Sequence, residues 1–197
     1  MKELNERKKL DYNRGTSFFK FVSRSGGAHG YQGIMLLFYI FKRLFNYCFH
    51  IFAQFMPYNG LRVFFHKIRG VRISSDVQIG VNVWIDEAYP DYVCIEESAS
   101  LGIGCKIIAH SAPHPFHEGR LPSYVAPVII NEGALIGMYS IVLPGVTIGK
   151  GSIISAGSVV TSDVFPFTIV RGNPAELVGK VRMKPHELEE IKSVGEK

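Results

Sequence analysis

Between residues 73 and 160 aliphatic residues recur at every sixth position in three runs: Ile73, Ile79 and Ile85; Ile95, Leu101 and Ile107; and Ile130, Ile136, Val142, Ile148, Ile154 and Val160. An amphipathic helix repeats at about 3.6 residues and a half-buried strand at about 2. The observed period fits neither, except as a short strand and a turn repeated without change of register. The position after each aliphatic is often small or turn-forming (Gly80, Gly102, Asn131, Gly137, Gly149, Ser155), which suits a tight corner. The pattern predicts a triangular prism. Three hexapeptides make one coil, and the aliphatic side chains stack inward with about 4.7–4.9 Å between neighbouring strands. The expected class is mainly β, a parallel β-helix of about four to five coils.

The phase breaks twice. Between Ile85 and Ile95 the extra residues fall in EAYPDY, a turn containing Pro90. Between Ile107 and Ile130 lies a loop, residues 109–127, that carries His110, His114 and His117. A long loop in a regular solenoid is usually functional.

Ahead of the repeat the pattern changes. Residues 1–30 are polar and basic, and do not resemble a secretory signal, because the apolar run starts late and no small-residue cleavage site follows it. Residues 31–57 are apolar and aromatic, yet Lys42 and Arg43 fall in the middle of the run. A charge at a bilayer centre costs roughly 2.5–3.5 kcal/mol even on the lenient scale, which argues against a membrane span. Two readings stay open: a helix packed on the domain or on a neighbouring subunit, and a helix lying on a membrane surface with its cations near anionic head groups. Pro57 and Asn59-Gly60 end the segment, and a second helix is expected from Leu61 to Ile68, closed by Gly70.

Charge follows the same division. Residues 1–72 hold 13 Lys and Arg against 3 Asp and Glu, whereas residues 73–197 hold 9 against 14. Three unpatterned cysteines in 197 residues exclude a disulfide framework and a cysteine-rich zinc site and favour a reducing compartment. The expected organisation is a basic helical extension (1–60), a repeat domain (61–183) and a short helix (184–197) that begins at Pro185.

The stretch LIGMYSIVLPGVTIGKGSIISAGSVVTSDV, followed by FPFTIVRGNPAELVGKVR, resembles the hexapeptide-repeat acyltransferases, in particular the sugar O-acetyltransferases of the galactoside, maltose and capsular-polysaccharide branch. The likeness covers residues 61–183, and the polysaccharide branch often carries an apolar, basic N-terminal extension. The resemblance implies a left-handed coil and a homotrimer. It also implies acetyl-CoA bound in a groove between adjacent prisms, a histidine base on a projecting loop and no metal. The expected reaction is acetyl transfer to a hydroxyl of a sugar or glycan by direct attack. The expected location is cytoplasmic, with association at the inner face of the membrane through residues 1–57 left open; no nucleic-acid partner is expected.

Such a transfer needs a base for the hydroxyl proton, donors for the developing oxyanion, and alignment of both substrates. His110, in KIIAHS, and His114, in APHPF, are both candidates for the base, and His117 for a substrate contact. Counting the ten-residue step as one hexapeptide stacks Ile85 on Ile107, which puts Asp86 beside the His110 corner as a candidate orienting carboxylate. Asn82 matches a family asparagine at the acceptor site. For the cofactor the resemblance points to Gly137, Ala156, Gly157 and Thr161, with Arg171, Lys180, Arg182 and Lys184 as cations for the CoA phosphates. Leu135 stands where the galactoside branch has tryptophan, and Ser162 where many members have lysine. The same tail cations also read as the solvated start of the C-terminal helix.

Two other functions compete. A zinc hydro-lyase on the same prism needs three histidines on one metal, and the repeat before His110 supplies none. A catalytically silent scaffold would keep the period and lose the histidine loop and the GNPA segment, both of which are present.

Overall fold

The computed structural model describes residues 8–9, 34–113, 117 and 120–182. A two-residue strand, β1 (Lys8–Lys9), and two helices, α1 (Ile34–Phe55) and α2 (Asn59–Ile68), precede the coils. The first coil is β2 (Arg72–Ile73), β3 (Gln78–Ile79) and β4 (Trp84–Ile85), and the second is β5 (Val93–Ile95), β6 (Ser100–Leu101) and β7 (Lys106–Ile107). A projecting ribbon follows, β8 (His110–Ser111) and β9 (Tyr124–Val125). The third coil is β10 (Val128–Ile130), β11 (Leu135–Ile136) and β12 (Ile141–Val142), and the fourth is β13 (Thr147–Ile148), β14 (Ile153–Ile154) and β15 (Val159–Val160). An antiparallel hairpin, β16 (Thr168–Gly172) and β17 (Ala175–Lys180), closes the far end.

The strands stack into three parallel ladders: β2-β5-β10-β13, β3-β6-β11-β14-β16 and β4-β7-β12-β15. Each ladder sets the aliphatics of the six-residue period in register, as in Ile73↔Ile95, Leu101↔Ile136↔Ile154 and Ile85↔Ile107. These side chains fill the prism, and Ile85, Ile107, Ile136 and Ile154 have no exposed surface. A second buried column, two residues before the first, holds small residues, among them Ala99, Cys105, Ala134, Ser140, Ser152 and Ser158. Its serines turn their hydroxyls to carbonyl oxygens, Ser152 to Gly149 and Ser158 to Ser155. Burial pushes the Cys105 thiol up to about 12, which suits an inert packing residue.

The glycines that follow the aliphatics have a different cause from the one the sequence suggested. They are needed for the close approach of neighbouring coils. A Cβ on Gly102 would lie 2.6 Å from the Met138 nitrogen, and one on Gly137 would lie 2.5 Å from the Ala156 nitrogen. The tight corner itself falls two positions later, where Asn82 and Tyr139 take φ of 57° in a left-handed conformation.

A solenoid's first coil has no coil beneath it, so its outward backbone groups need other partners. The helices supply them. The Asn59 side chain donates to the Val77 carbonyl and accepts from the Ile79 N–H. Arg62 donates to Ile79 O at 2.6 Å, and Arg69 donates to Ile85 O at 3.1 Å and to Asp86 O at 2.8 Å. The Asn82 N–H reaches the Gln54 carbonyl. Asn46, His50, Gln54, Arg62, His66 and Arg69 are accordingly buried. The second helix starts at Asn59, earlier than Leu61, because Asn59 belongs to this cap. The C-terminal helix expected from Pro185, and Lys184 with it, lie outside the described residues.

Candidate active site

Asp86 follows β4, at the corner between the third face and the first, and is 2 % exposed. Its carboxylate is saturated with donors. Oδ1 accepts from the N–H groups of Ala88 and Tyr89, both at 2.9 Å, which turns the chain into the short 3₁₀ segment Pro90–Tyr92. Oδ2 accepts from the Ala109 N–H at 2.8 Å and meets His110 Nδ1 at 2.6 Å. Burial alone would raise this carboxyl; the His110 hydrogen bond and charge, with the Tyr89 and Ala109 N–H groups, bring it below the ordinary carboxylate range. With Asp86 ionised, Nδ1–H of His110 is the donor, and the lone pair sits on Nε2. The His110 side chain is 26 % exposed. The Tyr89 ring, 5.3 Å from it centroid to centroid, packs beside it.

His110 lies beyond the end of β7 and belongs to no prism strand. It opens β8, which pairs antiparallel with β9 as His110↔Val125 and Ser111↔Tyr124. β1 adds a third strand to this ribbon through Lys8↔Val125 and Lys9↔Tyr124. The ends of the 109–127 loop are thus ordered β-structure, which holds the imidazole against Asp86. His117 is half-buried further along the loop, its carbonyl accepting from the N–H groups of Arg120 and Leu121. His114 lies outside the described residues.

The remaining candidates do not converge on this corner. Thr161 follows β15 and shares the corner of Asp86 and His110, two coils beyond His110. Asn82, Gly137, Ala156 and Gly157 stand at the corner between the second and third faces. Leu135, Met138 and Tyr139 give that side an exposed apolar strip, and a Cβ on Gly157 would meet no atom within 4 Å. Arg171 and Lys180 lie on the closing hairpin and Arg182 just past it; Arg171 and Lys180 are exposed, as is Arg182. Lys180 therefore sits on an edge strand, which corrects its reading as the start of a helix. Among the described residues no group of three His, Cys, Asp or Glu is placed to hold a metal ion, and no helix is long and apolar enough to cross a membrane.

Two residues of this site were not singled out from the sequence. Tyr89 was read only as part of a turn. Arg69, 3 % exposed, reaches the Asp86 carbonyl from the end of α2 while its other guanidinium nitrogen bonds His66 Nδ1 at 2.9 Å.

The family model described as bacterial transferase hexapeptide (six repeats) matches residues 127–162. YvoF of Bacillus subtilis (strain 168), provisionally named an acetyltransferase, is 26 % identical over 151 residues, 76 % of this chain and 82 % of that one. Other relatives match this chain over less than half of their own length. Two solved structures share the fold. The hexapeptide-repeat acetyltransferase VCA0836 of Vibrio cholerae, complexed with acetyl-CoA, has a TM-score of 0.59 at 21 % identity and covers 72 % of this chain and 88 % of that one. A maltose O-acetyltransferase of Clostridium difficile 630 has a TM-score of 0.58 at 21 % identity over 73 % and 88 %. Four coils of the six-residue period, the repeat model matched over residues 127–162 and the shared fold make the chain similar to hexapeptide-repeat acetyltransferases.

Proposed function

We propose that the chain transfers an acetyl group from acetyl-CoA to a hydroxyl of a sugar or glycan, with His110 as general base. The observation that carries the reading is the 2.6 Å contact between His110 Nδ1 and a buried, fully hydrogen-bonded Asp86. That contact fixes the tautomer and aims Nε2 outward. Acetyl-CoA supplies the activated acyl carbon. His110 Nε2 takes the proton of the attacking hydroxyl and returns it to the departing thiolate, so no nucleophilic side chain on the enzyme is needed. Asp86 orients the ring and steadies the imidazolium.

The open corner at Gly137, Ala156 and Gly157 suits the pantetheine arm, and the exposed Arg171, Lys180 and Arg182 suit the phosphates. The Gly137 corner and the His110 corner lie at opposite edges of the third face. A homotrimer in which one prism's His110 corner meets its neighbour's Gly137 corner would unite them. Asn82, on the Gly137 side, and His117, on the loop, are then acceptor contacts. The sugar acceptor is the one named for the maltose enzyme that shares the fold. The three free cysteines suit a cytoplasmic site of action.

The test is CoA release from acetyl-CoA across a panel of sugars and nucleotide-sugars. His110→Ala is expected to lower kcat by roughly 10²–10⁴-fold without abolishing acetyl-CoA binding. Full turnover in His110→Ala with loss in His114→Ala would move the base to the other histidine. A wild-type chain that does not bind acetyl-CoA would sink the reading altogether.

A further inference from the structure

The helical cap is inside out. At about 100° per residue, Asn46, His50, Ala53 and Gln54 of α1 share the face that meets the prism, and all four are buried. The opposite stripe carries Leu37, Phe41, Leu44, Ile51 and Phe55, and Phe38 and Phe41 are 66 % and 67 % exposed. The second helix repeats the arrangement, with Arg62 and His66 turned inward and Leu61, Phe64 and Ile68 turned out. Phe49 and Phe52 pack on Phe65 at 5.6 and 5.7 Å, so the two helices present one continuous apolar surface. A surface of this kind marks an interaction site.

Charge selects the partner. Residues 34–72 contain no Asp or Glu, and of their six Lys and Arg the buried Arg62 and Arg69 face the prism, which leaves Lys42, Arg43, Lys67 and Arg72 towards the outside. On α1 the exposed Lys42 and the half-buried Arg43 fall one on each side of Asn46, nearer the prism-facing side than the apolar stripe, and long side chains of this kind can reach round towards head groups while the stem stays in contact with apolar surface. Aromatic and aliphatic residues bordered by cations on a helix that cannot span the bilayer are the composition of an interfacial helix. A second copy of the same surface would bring cations against cations.

We propose that the outer face of α1 and α2 docks the enzyme on the surface of an anionic lipid bilayer, the helices lying in the head-group plane and the prism standing off it. This is a binding property and holds whether or not the acceptor is a sugar.

The full chain is sedimented with vesicles of phosphatidylcholine alone and with vesicles containing phosphatidylserine or phosphatidylglycerol. Binding to the anionic vesicles that weakens with salt is the expected result. Phe41→Ser with Leu44→Ser should weaken it at least about tenfold, since each removes a large exposed apolar group that the bilayer would bury. Lys42→Glu with Lys67→Glu, which leaves the apolar packing untouched, should weaken it on anionic vesicles by about tenfold or more. No pelleting with either vesicle type overturns the proposal, whether a second copy or residues 10–33 of the same chain cover the face. So does binding that neither double variant changes. A fall in oligomer mass in Phe41→Ser/Leu44→Ser also overturns it, because the face then belongs to a subunit contact. Acetyl-CoA turnover is not read in this assay, so its outcome is independent of the transferase reading.

Discussion

In the prism, Ile79, Ile107 and Ile136 point inward at 1 % exposure or less, while Gln78, Lys106 and Leu135, one residue earlier, face outward. In the helical cap, His66 is as buried as those isoleucines, and Phe41, Phe55 and Phe64 are more than half exposed. The same chain sorts its side chains by opposite rules because the two regions meet different surfaces. A coil in mid-stack finds its hydrogen-bond partners in the coils above and below, and only apolar volume is left to bury. The cap meets a raw sheet edge with carbonyls and N–H groups to satisfy, so its inner face must be polar. What a helix buries is dictated by its neighbour, and an amphipathic pattern does not by itself say which side is in.

The sharpest way to break this contrast is Arg69→Met, which keeps the volume and removes the donors. It leaves the Ile85 and Asp86 carbonyls and His66 Nδ1 without their partner. The expected loss is about 3–5 kcal/mol in chemical denaturation, the range for breaking a buried charged network. Turnover per folded molecule should fall as well, because the Asp86 backbone is then held less firmly. Stability within about 1 kcal/mol of wild type would show that the polar face does not secure the first coil.

Acid should weaken the cap next. Burial, and then the Arg69 charge, bring His50 from 6.5 to about 4 and His66 from 6.5 to about 3. Both imidazoles stay neutral in the fold, whereas the unfolded chain takes up their protons near 6.5. Their contribution is fully present above that value and drains away as pH falls from about 6.5 towards 3. Urea midpoints measured between neutral pH and pH 5 should fall, and should fall less steeply in His66→Gln. Parallel profiles for the two proteins would contradict the assignment.

The smallest effect belongs to the prism. Gly137→Ala places a methyl 2.5 Å from the Ala156 nitrogen and must push neighbouring coils apart. About 1–3 kcal/mol should be lost, the usual cost of overpacking, with no change in the pH dependence that marks the cap. Unchanged thermal stability would mean that the coils yield freely at that corner.

The prism was legible because its period counts in one dimension. The aliphatics from Ile73 to Val160 are self-similar, and pairing Ile85 with Ile107 across the first phase break already set Asp86 beside His110. The ladder places them so, with Ile85↔Ile107 in register. The cap was not legible in the same way. Residues 31–57 announced an apolar helix, and such a helix is expected to bury its apolar side. Nothing in the local sequence says that Gln54, Arg62 and Arg69 face an unpaired edge, because that edge is created by strands at Val77 to Asp86, still to come in the chain. The ribbon that holds His110 escaped for a related reason: its third strand, Lys8–Lys9, is more than a hundred residues from its partner β9. The glycines were located correctly but explained by a turn, when the constraint is the backbone of the next coil.

Asp86 has a double attachment, its carbonyl to Arg69 and its carboxylate to His110. For anyone recombining this chain with a relative, that makes the stretch from Asn59 to His110 one inheritable block. A crossover placed between the helices and the second coil would pair one parent's arginine with another parent's aspartate, and the helices could not be trimmed away to leave a minimal enzyme. Breakpoints belong further on, between the third and fourth coils, where besides the backbone ladders and stacked aliphatics the side-chain contacts are the Glu132–Lys150 pair and the Asn131 and Ser140 bonds to backbone carbonyls.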